Sequence, residues 1–137
     1  MKTMRYFFYL ALVGFVAIAG CAKKENTPKK TPLKPFEAVQ TEAQTMSLGG
    51  LQQTAHDLVV QIIKGKEELK KDESVFNALS PEDQAGAKGN ALKEKISQIR
   101  SDVNARALRY QVYAEKIRKS NAVPPTFGSV IKEMKQS

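Results

Sequence analysis

The sequence predicts an all-α protein: an antiparallel, coiled-coil-like hairpin of two long helices, followed by a short C-terminal helix. Two long segments place apolar residues at alternating steps of three and four, the spacing of helices packed side by side. The alternating Val, Ile, Thr and Tyr runs typical of strands do not occur in the sequence. If the segments that flank the hairpin pack on it, the same pattern predicts a small three- or four-helix bundle.

The N-terminal 20 residues have the layout of a secretory signal peptide. Lys2 and Arg5 precede an uncharged apolar run from Tyr6 to Ala19, and small residues end it. The run is shorter than the roughly 20 residues that a membrane-spanning helix needs. We therefore predict that residues 1–20 are removed from the mature protein.

The only cysteine of the chain, Cys21, comes directly after this run and follows Ile18, Ala19 and Gly20. The sequence of these four residues resembles the bacterial lipobox, the signature of secreted lipoproteins. The resemblance implies that Ile18, Ala19 and Gly20 are recognised by the signal peptidase. It also implies that Cys21 carries a diacylglycerol on its sulfur and, in many bacteria, an acyl group on its new amino terminus. The alternative is an ordinary secretory signal that leaves a free thiol.

An acylated Cys21 would fix the location of the protein. Two or more acyl chains give stable anchoring, whereas one chain gives only marginal binding. The residue after the cysteine is Ala22, not the Asp that often retains lipoproteins in the inner membrane. The resemblance therefore implies export and, in a cell with two membranes, the periplasmic face of the outer membrane.

Residues 21–35 are predicted to be the lipidated cysteine and a flexible tether. The segment AKKENTPKKTPLKP, residues 22–35, holds three prolines and five lysines. Such a composition buries too little apolar surface to fold. Its lysines either meet an anionic membrane surface or belong to a solvated linker, and the sequence leaves both interpretations open.

The hairpin domain is predicted over residues 36–120, and its first helix over residues 48–71. The apolar stripe of this helix comprises Leu48, Leu51, Ala55, Leu58, Ile62, Gly65 and Leu69. Val59 and Ile63 widen the stripe to the face expected of a helix in a small bundle. A helical pattern continues back to about residue 37, with a kink or break expected at Gly49-Gly50.

A connection is predicted over residues 72–80, in which Val75, Phe76 and Leu79 are expected to close the end of the helix pair. A second helix is predicted over residues 81–119. Ser80 and Pro81 suit the N-cap and the first helical position, and Gly86 and Gly89 predict fraying of the first turns. The stripe of this helix comprises Leu92, Ile96, Ile99, Val103, Arg106, Tyr110, Tyr113 and Ile117. We expect the stem of Arg106 to lie over the neighbouring helix and its charged head to reach water.

Residues 121–137 are predicted to form a Pro-Pro loop and a short helix. Pro124-Pro125 ends the preceding helix. Val130, Ile131 and Met134 then give a one-sided apolar pattern. Phe127 is the expected anchor if this helix folds back on the hairpin.

The apolar stripes supply candidate residues for the helix seam or for contact with a partner. A hairpin buries one face of each helix, so the flanking segments, a second copy or an envelope protein must cover the rest. These candidates are Leu51, Leu58, Ile62, Leu92, Ile96, Ile99, Val103 and Tyr110.

The sequence contains no recognisable catalytic or metal-binding motif. His56 is the only histidine, and no second ligand lies at metal spacing. The adjacent acidic residues of the chain, such as Glu67-Glu68, lie among charged residues and not among apolar ones. We therefore predict no enzymatic activity, no metal, no small-molecule substrate and no cofactor beyond the lipid on Cys21. The chain has 22 Lys and Arg against 14 Asp and Glu, but an exported lipoprotein meets little nucleic acid.

Together these features predict a membrane-anchored, non-enzymatic interaction, assembly or structural factor of the bacterial cell envelope. Its partners would be the membrane, through the lipid, and either an envelope protein or a second copy of the chain. The alternative function is an exclusion or inhibitor lipoprotein that acts against phage, conjugation or an envelope enzyme.

Overall fold

Five helices make up residues 32–137, the part of the chain that the computed structural model describes. They are α1 (Phe36–Thr45), α2 (Leu48–Asn77), α3 (Pro81–Ala85), α4 (Ala87–Lys119) and α5 (Phe127–Met134). No strand occurs in this range. The predicted all-α fold, with two long packed helices and a short C-terminal helix, is confirmed.

The predictions for the N-terminus fall outside the described residues. They concern the leader, the lipobox residues Ile18, Ala19 and Gly20, the acylated Cys21 and the tether up to residue 31. All of them stay predictions.

The two long helices pack as an antiparallel pair. At one end of the pair Leu51 of α2 shares an apolar cluster with Ile117 of α4. Further along, Ile62 of α2 clusters with Val103 and Ile99 of α4. Moving forward along α2 therefore means moving backward along α4, as the short connection requires.

The break between α1 and α2 lies at Met46 and Ser47, just before the two glycines at which it was expected. The Ser47 side chain accepts a hydrogen bond from the Gly50 amide, at 3.2 Å, and so caps a new helix. Gly49 and Gly50 then fall in the first turn of α2. The cap explains the shift, because it supplies an acceptor for an amide that has no partner within the helix.

The first long helix does not end at residue 71 but continues to Asn77. Charged residues that were assigned to the connection pair with α4 instead. Asp72 Oδ2 lies 2.8 Å from Lys95 Nζ, and Glu73 Oε1 lies 2.8 Å from Arg100 Nη2. The helix is therefore almost two turns longer than predicted, and these pairs hold the start of the added part to α4.

The second long helix is interrupted at Gly86 and does not run unbroken from residue 81. Ser80 caps α3 through a hydrogen bond from the Asp83 amide, at 3.2 Å, and Gly86 is extended. The α3 backbone then lies against Gly89, where a Cβ atom would come 2.2 Å from the Gln84 carbonyl oxygen. This close approach requires glycine at position 89.

The flanking helices pack on one end of the hairpin only. We call this end the proximal half: residues 48–63 of α2 and 103–119 of α4, with α1 and α5. Val39 and Ala43 of α1 cluster with Tyr113 of α4, and Val130 of α5 clusters with Val59 of α2. The other end, residues 64–77 of α2 and 87–102 of α4 with α3, is the distal half.

Arg106 lies inside the helix pair, so the prediction that its head reaches water is wrong. The residue is 5% exposed. Its Nε donates to Asp102 Oδ2 at 2.9 Å, and its Nη1 donates to the Gln61 side chain on α2. The guanidinium remains buried because these two acceptors replace water.

Candidate functional site

The distal half of the hairpin carries an open cleft of about 410 Å³. Among the described residues, the two long helices alone form its walls. Glu73, Phe76 and Asn77 come from α2, and Lys93, Ile96, Ser97 and Arg100 come from α4. The cleft exists because α5 has eight residues and α2 has 30. At 1.5 Å per residue, α5 covers about 12 Å of a helix about 45 Å long.

The floor of the cleft is apolar. Ile96 is 9% exposed, and Phe76 is half-buried. The Lys93 ammonium lies 5.3 Å from the centroid of the Phe76 ring, a cation–π distance. An apolar surface with a cation at its edge favours a ligand that is both apolar and acidic.

An exposed ion pair spans the rim of the cleft. Arg100 Nη2 donates to Glu73 Oε1 at 2.8 Å, and the two side chains are 59% and 42% exposed. Exposed pairs of this kind contribute at most about 1 kcal/mol. A guanidinium has five N–H donors, so Arg100 retains donors for an incoming carboxylate while it keeps Glu73.

The cleft continues the groove in which α5 lies. Residues seven apart share a helix face, and Ile96 is seven residues before Val103, which is seven before Tyr110. Tyr110 meets the Phe127 ring of α5 edge-on, with centroids 6.0 Å apart. On α2, Lys66 Nζ lies 5.1 Å from the centroid of the same ring, seven residues before Glu73. The groove therefore passes the start of α5 and opens into the cleft.

The opposite side of the distal half is closed by ion pairs. Lys95 Nζ lies 2.8 Å from Asp72 Oδ2 and 3.3 Å from Glu68 Oε1. Asp72 is only 7% exposed. The hydrogen bond to Asp72 raises the pKa of Lys95 above its ordinary value. The two sides of the hairpin therefore differ in charge and in access.

Positive charge predominates along the open side. Lys66, Lys70, Lys93 and Arg100 follow its length, as the helical periodicity of α2 and α4 places them. Glu73 is the carboxylate among the residues that line the cleft, and it is already paired with Arg100. The open side is thus a basic groove with an apolar floor.

The predicted seam residues lie between the helices. Leu51, Leu58, Ile62, Ile96, Ile99 and Val103 are buried. Leu92 and Tyr110 are half-buried, and the Tyr110 hydroxyl donates to the Pro125 carbonyl at 2.6 Å. Packing within the chain uses most of the surface that a partner would need. That the seam residues contact a partner stays a prediction.

Phe76, Lys93 and Arg100 were not among the predicted site residues. Phe76 was assigned to a loop that closes the end of the hairpin together with Val75 and Leu79. Val75 is in fact exposed, at 45%. The signal that identifies the cleft is the step of seven from Leu69 to Phe76, which continues the apolar stripe beyond residue 71.

His56 connects α2 to α5. Its Nε2 lies 3.1 Å from Glu133 Oε2, and its Nδ1 lies 3.6 Å from Asp57 Oδ1. Among residues 32–137, no group of three or more His, Cys, Asp and Glu side chains has an arrangement that holds a metal ion. Nor does this part of the chain contain a helix both long and apolar enough to span a bilayer.

A second cleft, of about 340 Å³, lies between α1 and α4. Lys119 and Glu115 form an ion pair at its edge, 2.8 Å apart. The hydrogen bond from Lys119 lowers the pKa of Glu115. This cleft is lined mainly by polar side chains and lacks an aromatic floor.

Comparison of the chain with known protein families, with curated proteins and with solved structures finds no match.

Proposed function

We propose that this protein is a lipid-anchored, non-enzymatic interaction or assembly factor of the bacterial cell envelope. The observation that carries the proposal is the open cleft of the distal half, a basic groove with an apolar floor that no helix among residues 32–137 covers. The lipobox-like sequence ending at Cys21 supports the anchor and the location.

The path of the chain into the bundle is consistent with this arrangement. The Lys34 carbonyl accepts hydrogen bonds from Arg109 Nε, at 3.0 Å, and from Arg109 Nη2, at 2.6 Å. The Lys34 ammonium lies 2.6 Å from Glu42 Oε2 on α1. Lys34, two residues before α1, is therefore held to the proximal half. The cleft lies on the distal half, away from this attachment.

The anchor is tested by replacing Cys21. Wild-type protein should incorporate labelled palmitate and fractionate with membranes, whereas Cys21→Ser should do neither. Ala22→Asp is the matched control: acylation should persist, and in a cell with two membranes the protein should move to the inner membrane. Palmitate incorporation by Cys21→Ser, or its absence from the wild type, would contradict the anchor.

The partner is tested by photo-crosslinking in cells. A photoreactive side chain at Asn77, in the cleft, should give an adduct with an envelope protein. The same side chain at Lys71, exposed on α2 outside the cleft, is the matched control and should not. Adducts formed only with a second copy of the chain would contradict a separate partner. A phage or conjugation protein in the adduct would favour the exclusion function.

A further inference from the structure

We infer that the cleft binds an acidic amphipathic helix of a protein partner, lying end to end with α5 along the same groove. The inference rests on the proposed function and specifies the chemistry of the partner. The α5 helix already occupies the proximal part of this groove.

The α5 helix shows what this groove accepts. Val130 of α5 is 1% exposed and packs against Val59 and Ile63 of α2. Phe127 lies between the Tyr110 ring and the Lys66 ammonium. One helix turn later than Val130, the Glu133 carboxylate meets His56 at 3.1 Å. The proximal groove thus takes apolar side chains on its floor and a carboxylate at its edge.

The distal cleft repeats this chemistry without an occupant among the described residues. Phe76 and Ile96 form the floor, as Val59 and Ile63 do beneath α5. Lys93 and Arg100 of α4 stand at its edge, whereas the partner of the α5 carboxylate, His56, lies on the α2 side. Opposite charge across such an edge orients a partner and speeds its encounter more than it adds affinity.

The open shape of the cleft, and not its volume, favours a helix over a small molecule. Its volume of about 410 Å³ admits only a few side chains. Pockets for small ligands enclose most of the ligand surface, whereas within residues 32–137 only two helices wall this cleft. Helix-in-groove binding needs only apolar anchors three and four residues apart on one face.

Charge disfavours a second copy of the chain in the same site. A symmetric dimer through the cleft would bring the same surface patch from both subunits together. The cleft lining holds two cations, Lys93 and Arg100, and one carboxylate, Glu73, so this contact would bring together more positive than negative charge. Like charges at an interface are costly, so an acidic partner fits the cleft better.

The test uses two synthetic helical peptides of equal length and the chain from residue 22 to residue 137, which contains the complete compact unit of residues 32–137. Both peptides carry leucine on one face. The opposite face carries glutamate in one and lysine in the other. In NMR titrations of the labelled protein, the glutamate peptide should shift the amide signals of Phe76, Lys93 and Ile96. The lysine peptide should leave these signals unchanged.

Charge reversal then tests the cations directly. Lys93→Glu with Arg100→Glu should weaken binding of the glutamate peptide by about tenfold or more and create binding of the lysine peptide. Lys64→Glu with Lys71→Glu, at exposed positions of α2 outside the cleft, makes the same charge change and should leave both affinities nearly unchanged. If the cleft reversal prevents folding, Lys93→Gln with Arg100→Gln should still remove the preference for glutamate.

Several outcomes would overturn the inference: no binding of the glutamate peptide, signal changes spread over the whole surface, or equal weakening by the control reversal. The test does not involve Cys21. Failure of peptide binding alongside an acylated Cys21 and an envelope adduct from Asn77 would reject the acidic helix and retain the proposed function. Peptide binding without acylation would retain the cleft and reject the anchor.

Discussion

The proximal and distal halves of the hairpin are formed by the same two helices, yet they are stabilised differently. In the proximal half, α1 and α5 cover the pair, and Ile117 and Val130 are 0% and 1% exposed. In the distal half, Leu69, Phe76 and Leu92 remain half-buried. The two halves differ in burial because α1 and α5 are long enough to cover apolar side chains of the proximal half only.

The forces that hold the two halves differ accordingly. Burial of apolar surface stabilises the proximal half by about 25 cal/mol per Å². The distal half has fewer buried apolar residues, Ile96 and Ile99, and adds the ion pairs of Lys95 with the buried Asp72 and of Arg100 with Glu73. The second of these pairs is exposed and individually weak. The distal half therefore leaves apolar side chains such as Phe76 partly exposed, as a binding surface requires.

The largest difference is expected from the same truncation made in each half. Ile117→Ala empties a fully buried site among α1, α2 and α4, and should lower the free energy of unfolding by about 2–5 kcal/mol. Ile96→Ala removes the same atoms from the floor of the open cleft. It should cost less, because water fills the space that is left. Urea denaturation of both variants measures the difference.

Equal losses for the two variants would contradict the comparison. That result would mean that the distal floor is as well covered as the proximal core. Unchanged slopes of the denaturation curves would show that both variants unfold from the same compact state.

The next effect concerns the junction of the two halves, where α2 and α4 approach closely at Gly65. A Cβ atom on Gly65 would lie 2.6 Å from Val103 Cγ2. Gly65→Ala should therefore separate the helices and cost about 1–3 kcal/mol. Gly49→Ala is the matched control, since nothing lies within 4 Å of its added Cβ. It should be neutral or stabilise the helix by up to about 1 kcal/mol.

Thermal unfolding distinguishes the two substitutions by the sign of the change in Tm, which should fall for Gly65→Ala and stay equal or rise for Gly49→Ala. A stabilising effect of Gly65→Ala would show that the helices are not in close contact at Val103. A destabilising effect of Gly49→Ala would show that the first turn of α2 is packed, against the open space found there.

A smaller and more local effect is expected at the tip of the distal half. Gly89→Ala would place a Cβ 2.2 Å from the Gln84 carbonyl oxygen, so α3 must move away from α4. No residue of α3 is buried, and we expect a global loss below about 1 kcal/mol. Hydrogen exchange should instead accelerate at Gln84 to Gly86 and remain slow at Ile117. Acceleration throughout α4 would contradict the independence of the two halves.

The sequence predicts the elements that local rules control. The heptad stripes identify α2 and α4, and Ser80 with Pro81 marks the start of α3, because capping and periodicity depend on neighbouring residues. The positions of the helix breaks are harder to predict from the sequence. Gly49 lies within a helix and Gly86 ends one, a difference that depends on the Ser47 cap and on α3 packing against Gly89.

Features that depend on distant residues were missed. Arg106 is buried because Gln61, 45 positions away, supplies an acceptor, and an isolated stripe does not show this. The cleft depends on how far α5 reaches along α2. Most candidate residues chosen from the stripes lie in the core, and Ile96 alone among them also lines the cleft. Phe76 and Lys93 were not predicted as site residues, because the stripe pattern does not show which part of a stripe another helix covers.

The smallest effect is a change with pH in the proximal half. Burial raises the pKa of the Tyr113 hydroxyl above its ordinary value of 10.0, and the nearby Glu42 carboxylate adds to the shift. The folded state then holds this proton more tightly than the unfolded state. The stability it contributes is fully present below pH 10 and is lost as the pH rises through the folded-state pKa.

Ultraviolet absorbance of the phenolate measures this directly. The mature chain would retain only Tyr110 and Tyr113 of its four tyrosines, and it contains no tryptophan. The difference between the titrations of the wild type and Tyr113→Phe gives the Tyr113 step, which should lie above that of a free tyrosine amide. Tyr113→Phe should also reduce the loss of stability at alkaline pH. A Tyr113 step at the free value would show that water reaches this ring, and that the proximal core is no better sealed than the distal cleft.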